Sequence, residues 1–176
     1  MQYASSNVTG ERTPQEIETK NTGEGKYLTF SLRGEEYGIE IIKVKEIIGI
    51  MNITTIPQTP AYVRGVINLR GKVIPVIDLR LKFGMEESPY TDRTCIVVVD
   101  IYESSKGNFF MGIIVDSVSE VINIRGEEIE KTPSFGVSLR NDYFIGMAKV
   151  KDAVKLLLDI DRVVVSDMSM AGTLIQ

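Results

Sequence analysis

The chain has 176 residues, 43% of them apolar, and carries 20 Lys and Arg against 24 Asp and Glu for a net charge of −4. That length is one ordinary domain or two very small ones packed together, with apolar content enough for a core, and it lacks the basic excess of a nucleic-acid binder. The chain contains no histidine, which removes serine triads, Cys–His pairs, zinc sites of the usual kind and phosphohistidine relays, and leaves only carboxylate chemistry open.

Residues 1–25 read as a disordered tail, rich in Ser, Thr, Asn, Gln, Glu and Gly and without apolar periodicity. The tail has no apolar h-region and so does not read as a secretory signal. Nowhere does a run of 18 or more apolar residues occur. The sequons at Asn7 and Asn52 are chance matches in such a chain. From Tyr27 the pattern changes: Leu28, Phe30 and Leu32 alternate with Thr29 and Ser31, the period of a half-buried strand. A turn at Arg33-Gly34-Glu35-Glu36 and renewed alternation at Tyr37, Ile39 and Ile41 complete a hairpin. Val44, Ile47 and Ile48 have helix-like spacing and predict one short helical turn. Pro57 and Pro60 mark a loop. A second hairpin runs from Val66 through the turn Arg70-Gly71-Lys72 to Val73–Ile77, with Pro75 requiring an edge or a bulge. Asp78 reads as the N-cap of a short helix, Leu79 to Phe83, that ends at Gly84. Strands at Thr94–Ile101 and Phe109–Val115 follow. Cys95, the one cysteine, opens an apolar run and reads as a buried core thiol. Val163-Val164-Val165 is a poor helix former.

The second half repeats the first. Gly38-Ile39 matches Gly112-Ile113, Val44 matches Val118 and Glu46 matches Glu120, each 74 positions apart; Thr59-Pro60 matches Thr132-Pro133 at 73; Gly65 matches Gly146 and Asp78-Leu79 matches Asp159-Ile160 at 81. The shift changes only across loops, as expected for a duplicated unit of about 70 residues. Each unit has roughly five short strands, which predicts a small closed barrel. A barrel of that size buries only about 60% of the surface its unfolded chain exposes, so the two should pack together. The expected organisation is a tail at 1–25, barrels at 26–93 and 94–165, and an extension at 166–176, with about ten strands in all.

Glu35–Ile41, Val44-Lys45-Glu46-Ile47, Gly65–Gly71 and Ile74–Leu79 strongly resemble the CheW-like domains of bacterial chemotaxis, and the second half does so through Gly112–Asp116, Val118 and Leu158–Ile160. The resemblance spans about residues 26 to 165. It implies an all-β fold of two SH3-like five-stranded β-barrels with short helices in the connections. It implies a non-catalytic adaptor with no cofactor, cytoplasmic and recruited to receptor arrays at the inner face of the membrane. The partners implied are chemoreceptor cytoplasmic tips, docking in an apolar groove between the barrels, and the CheW-like domain of the histidine kinase CheA, which binds at barrel ends and closes rings. With 176 residues and no histidine, the chain has neither room for a kinase core nor a phosphoacceptor. The competing reading is an SH3-like interaction module of another two-component complex.

On this resemblance the partner-binding residues are Ile39, Val44, Glu46, Gly65, Asn68, Leu69, Arg70 and Phe135. Each also has a purely structural reading. Glu46 and Arg70 match the family's charged positions beside the receptor groove, but equally make a surface ion pair of little energetic consequence. Asn68-Leu69-Arg70-Gly71 is also a hairpin turn. Ile39, Ile41, Val44, Ile48 and Val66 are core or groove lining. Phe135, an aromatic in a polar loop, matches the family's second kinase contact. Of the carboxylates, Asp78, Asp116 and Asp159 are the candidates for chemistry, but Asp78 and Asp159 hold equivalent positions in the two halves, which suggests capping. Gly65–Gly71 lacks the ending of a phosphate loop.

Overall fold

The structure, a computed structural model, describes residues 23–131 and 141–166. Phe135, residues 1–22 of the tail and the C-terminal extension beyond Ser166 lie outside the described residues. Among the described residues eleven strands run in chain order: β1 (Gly25–Leu32), β2 (Glu35–Glu40), β3 (Val44–Gly49), β4 (Val63–Leu69), β5 (Lys72–Asp78), β6 (Cys95–Glu103), β7 (Gly107–Val115), β8 (Ser117–Ile124), β9 (Ile129–Glu130), β10 (Phe144–Val150) and β11 (Ala153–Leu158). Two short helices, Leu79–Lys82 and Ile160–Val165, follow β5 and β11.

The strands form two sheets, ordered β8-β1-β2-β11-β10-β9 and β3-β6-β7-β5-β4. Neither sheet belongs to one half of the chain. The hairpin β1–β2 sits among strands of the second half, and the hairpin β6–β7 sits among strands of the first. The expected division into barrels at 26–93 and 94–165 is therefore corrected: the boundary separates the repeats, while the sheets interlace across it. The three-residue 3-10 turn Ile41–Lys43 is where the chain leaves one sheet for the other.

The duplication holds down to single bonds. The parallel pair β5–β7 begins at Val76 and Gly112, and the parallel pair β11–β2 joins their equivalents Leu157 and Gly38. The β3–β6 ladder skips Lys45, and the β1–β8 ladder skips its equivalent, Ser119. Gly65 and Gly146 follow the same bulge in β4 and β10. The reason for glycine is steric: Gly65 has φ +137°, and a Cβ there would stand 1.9 Å from the Thr54 carbonyl oxygen. A Cβ on Gly146 would stand 2.6 Å from the Glu130 oxygen. The two-residue β9 is the counterpart of the Thr54–Val66 bridge, so each sheet has five full strands.

Alternation distributes the core. On β6, Val97, Val99 and Ile101 face a large cluster shared by both sheets, while Ile96 and Val98 face a smaller cluster with Ile67, Ile74, Val76 and Ile114 inside the curl of the five-stranded sheet. A strand buried on both faces explains the unbroken apolar run. Tyr27, Ile124, Ala148 and Leu157 fill the other sheet's curl. The helix Ile160–Val165 forms despite its three valines because Ile160, Val163 and Val164 are buried in the shared core, and tertiary burial outweighs a propensity deficit of at most about 0.7 kcal/mol per residue. Cys95 is half-buried against that core, with its thiol donating to the Arg93 carbonyl at 3.2 Å. Pro75 lies on an interior strand, but the ladder to β7 starts one residue later, so its missing N–H breaks no bond on that side.

The helix expected from Val44, Ile47 and Ile48 is instead β3. The bulge at Lys45 explains the misleading spacing. It reverses the strand's facing, so Val44 packs on the shared core and Ile48 on the small one.

Both helices are capped as the repeat predicts. Asp78 accepts the Leu81 N–H and Asp159 the Arg162 N–H, each at 3.3 Å. Each helix is also tied to a turn of the opposite half, with polarity reversed: Arg80 to Asp116 at 2.7 Å, and Asp161 to Lys43 at 2.9 Å. The candidate carboxylates thus hold structural bonds. Asp78 does more than Asp159: it is buried and also accepts the Tyr90 hydroxyl at 3.0 Å. Asp159→Ala is expected to cost about 1 kcal/mol, the usual worth of an N-cap. Asp78→Ala should cost about 2–3 kcal/mol, because the hydrogen bond that the buried Asp78 carboxylate accepts from Tyr90 is lost together with the cap. Urea unfolding of both variants checks the order; equal losses would mean that the Tyr90 bond is worth nothing.

Candidate partner-binding surface

The tip of the β4–β5 hairpin is Arg70-Gly71, both at positive φ (50° and 86°). This is the two-residue turn whose twist matches flanking strands. Asn68 fixes it by accepting the Gly71 N–H on Oδ1 at 2.9 Å. The Arg70 side chain, 71% exposed, reaches across to Glu46 on β3, 29% exposed. The guanidinium donates twice, through Nη1 to Oε1 at 2.8 Å and through Nη2 to Oε2. β3 and β4 are the two outer strands of the five-stranded sheet. This bidentate pair bridges them at the mouth of the curl, and the β3 bulge turns Glu46 inward to meet it, opposite Val98 of the small core. Arg70's hydrogen bonds hold the Glu46 carboxyl below the usual carboxylate range and raise the guanidinium. The corner is thus a rigid, fully charged fork that faces solvent.

Leu69 packs half-buried against the small core below the fork, and Val44 packs half-buried on the shared core. Two other sequence-predicted residues, Ile39 and Gly65, do not present themselves to a partner. The Ile39 side chain is wholly buried, because it faces the shared core from a strand between two others, and it offers no atom to a surface. Gly65 is buried against the Thr54 backbone, and its role is the close approach of two chains.

Sequence reasoning missed the features beside the fork. Lys72, Ile74 and Phe110 continue its floor and open into a groove of about 550 Å³ between β5 and β7. The signal was the parallel pairing of β5 with β7, which residue patterns within either strand do not carry. Also missed was a latch on the connection between halves, where Arg64 donates to the Tyr90 hydroxyl at 3.0 Å and bonds Glu87. Exposed Ile47 and Val73 have exposed equivalents in the other half, Val121 and Val154.

Comparison with known proteins settles the family. The CheW-like domain family matches residues 26–168. The chain belongs to the CheW-like domain family. Chemotaxis protein CheW of Klebsiella aerogenes is 38% identical over 142 residues, 81% of this chain and 82% of the relative. Chemotaxis protein CheW of Bacillus subtilis is 38% identical over 146 residues, 83% and 88% of the two chains. The crystal structure of the scaffolding protein TtCheW from Thermoanaerobacter tengcongensis superposes with TM-score 0.71 at 36% identity, over 80% of this chain and 92% of that one. The two curled sheets are the pair of SH3-like barrels of the CheW-like fold, and the expectation of five-stranded barrels holds once β9 is recognised as an extended bridge. Among the described residues no helix is long and apolar enough to cross a membrane.

Proposed function

We propose that the chain is a non-catalytic adaptor of bacterial chemotaxis, coupling the cytoplasmic tips of chemoreceptors to the histidine kinase CheA so that receptors control its autophosphorylation. The observation that carries this reading is the Glu46–Arg70 fork, a preorganised charged corner on a stiff hairpin, in a chain of the CheW-like family. A bidentate guanidinium held at a barrel mouth orients a protein surface and sets its register. The reading is supported by relatives named as chemotaxis proteins and by a neighbour described as a scaffolding protein. The chain has no histidine, and the three candidate aspartates are employed in structural bonds, which favours an adaptor over an enzyme. The adaptor acts in the cytoplasm, at receptor arrays under the inner membrane face, with Phe135 serving a second kinase contact.

The test is Arg70→Glu in arrays reconstituted from receptor and CheA. The side chain makes no core contact, so circular dichroism should be unchanged, while receptor-stimulated CheA autophosphorylation should fall about tenfold or more, as like charges now meet across the interface. The exchange of both charges, Glu46→Arg with Arg70→Glu, keeps an ion pair. Rescue by the exchange would show that the pair only shapes the hairpin; continued failure would show that a partner reads the charges. Normal stimulation by folded Arg70→Glu would remove the corner from the site.

A further inference from the structure

The two barrels differ most where their internal symmetry predicts the same thing. In each, two parallel strands pair for a few residues and diverge on the side from which they enter, leaving a fork. In the six-stranded sheet the fork lies between β11 and β2, ahead of Leu156 and Tyr37. It is sealed from within. Lys155, only 5% exposed, bonds Glu36 across it, and Ser119 donates to the same carboxylate at 2.9 Å. The symmetry-related fork lies between β5 and β7, ahead of Val76 and Gly112. There Lys155 becomes Ile74 (81 positions earlier), Glu36 becomes Phe110 (74 later) and Ser119 becomes Lys45 (74 earlier). No ion pair can form between Ile74 and Phe110, and the fork stays open as the groove of about 550 Å³.

Its chemistry is specific. The floor is apolar, Ile74 with the Phe110 ring, and Val73 stands at the rim 68% exposed. Lys72 places its ammonium 4.7 Å from the Phe110 ring centroid, and no carboxylate pairs with it among the described residues. Asp100, the acid of the groove, is already engaged by the Asn108 amide at 3.1 Å and lies 3.9 Å from Lys45. Arg70 at the adjoining corner is occupied by Glu46. The unmet charge is therefore positive. The backbone is unmet too: Lys72–Pro75 pair only with β4, and Gly107–Met111 only with β6, so the sides facing the fork have no strand partner. Free strand edges take up an extended chain.

We propose that the open fork between β5 and β7 is a docking groove for an extended segment of a partner protein, one that carries an aliphatic or aromatic side chain next to a carboxylate. The apolar side chain enters over Ile74 and Phe110, the carboxylate meets Lys72, and the backbone runs along the Lys72–Ile74 edge. The sealed fork shows what happens when a barrel supplies this filling itself. This groove is independent of the roles assigned to Glu46 and Arg70.

The test uses the full chain and a phage-displayed library of random dodecapeptides, with counter-selection on Val73→Asp. Enriched peptides should pair acidic with large apolar residues. The best of them, synthesised and fluorescently labelled, should bind Lys72→Glu and Val73→Asp at least tenfold more weakly than the unaltered chain. Both substituted side chains are exposed, so folding is preserved. Titration of the 15N-labelled chain should shift amides of residues 72–74 and 107–111. The combination Ile74→Lys with Phe110→Glu, which transplants the seal, should abolish binding. The proposal is overturned if no peptide enriches over the counter-selected variant, if enriched peptides are basic, or if their binding is indifferent to Lys72 and Val73. Amide shifts at the fork that follow protein concentration without peptide would assign the groove to a second copy of this chain and also overturn it.

Discussion

Cut after Asp92, the chain is expected to yield two fragments that are unfolded alone and folded together. The reason lies in which strands are interior. The first fragment keeps the hairpin β1–β2 but loses β8 and β11 on its two sides, and it keeps β3, β4 and β5 but loses the β6–β7 hairpin that separates β3 from β5. The second fragment suffers the mirror loss. The shared core is divided as well, with Leu28, Phe30 and Ile39 on one fragment and Val97, Val99 and Val163 on the other. A two-stranded ribbon without a covered face is marginal at best in water. The cut spares the Arg64–Tyr90–Asp78 latch, which stays within the first fragment. Circular dichroism and 15N spectra of each fragment, and of the equimolar mixture, measure this. Cooperative unfolding by either fragment alone would contradict the interlaced arrangement.

Glu36→Ala is expected to destabilise the protein by about 3 kcal/mol, the low end for removing one member of a buried ion pair. The low end applies because the Glu36 side chain keeps about a third of its exposure while Lys155 is almost wholly buried. What the substitution leaves behind is an ammonium with no counter-charge between strands. The paired change Glu36→Leu with Lys155→Met should recover most of the loss, since apolar filling often equals a buried pair, and the other barrel already uses Ile74 and Phe110 at these positions. The pH dependence has a definite sign. The hydrogen bond from Lys155 lowers the Glu36 carboxyl below its ordinary range. Its contribution is complete above the unfolded value of about 4.3 and is lost as pH falls through the lower folded value. The unaltered chain should therefore lose stability below about pH 4 more steeply than the Leu/Met pair. Parallel acid slopes in urea titrations would show that the ion pair is energetically idle.

What could be read in the sequence was local. The hairpins, the Asp78 and Asp159 caps and the repeat itself all follow from short-range chemistry, because a cap or a turn needs only its own neighbours. Interlacing could not be read this way. Whether β3 pairs with its own hairpin or with its copy, β6–β7, makes the same side-chain demands on both, since the halves are alike. At the surface, Asn68, Arg70 and Gly71 announced their turn, and the resemblance supplied Glu46. Ile39 was taken as partner-binding from the resemblance, and alternation alone could not decide between core and groove; the residue is wholly buried in the shared core. Lys72, Ile74 and Phe110 were missed because they meet only when β5 and β7 run in parallel, an association that no pattern within either segment encodes.

The interlacing also bears on symmetry. A single repeat could not have completed either sheet, because each sheet needs a hairpin from one copy and three strands from the other. Two separate, identical copies completing each other in this way would have identical forks, obliged by symmetry to be both sealed or both open. Joining the copies through Gly84–Thr94 lifts that obligation. The two forks are then free to differ, one holding Lys155 and Glu36 and the other Ile74 and Phe110, and a body built from two like halves has two distinguishable ends.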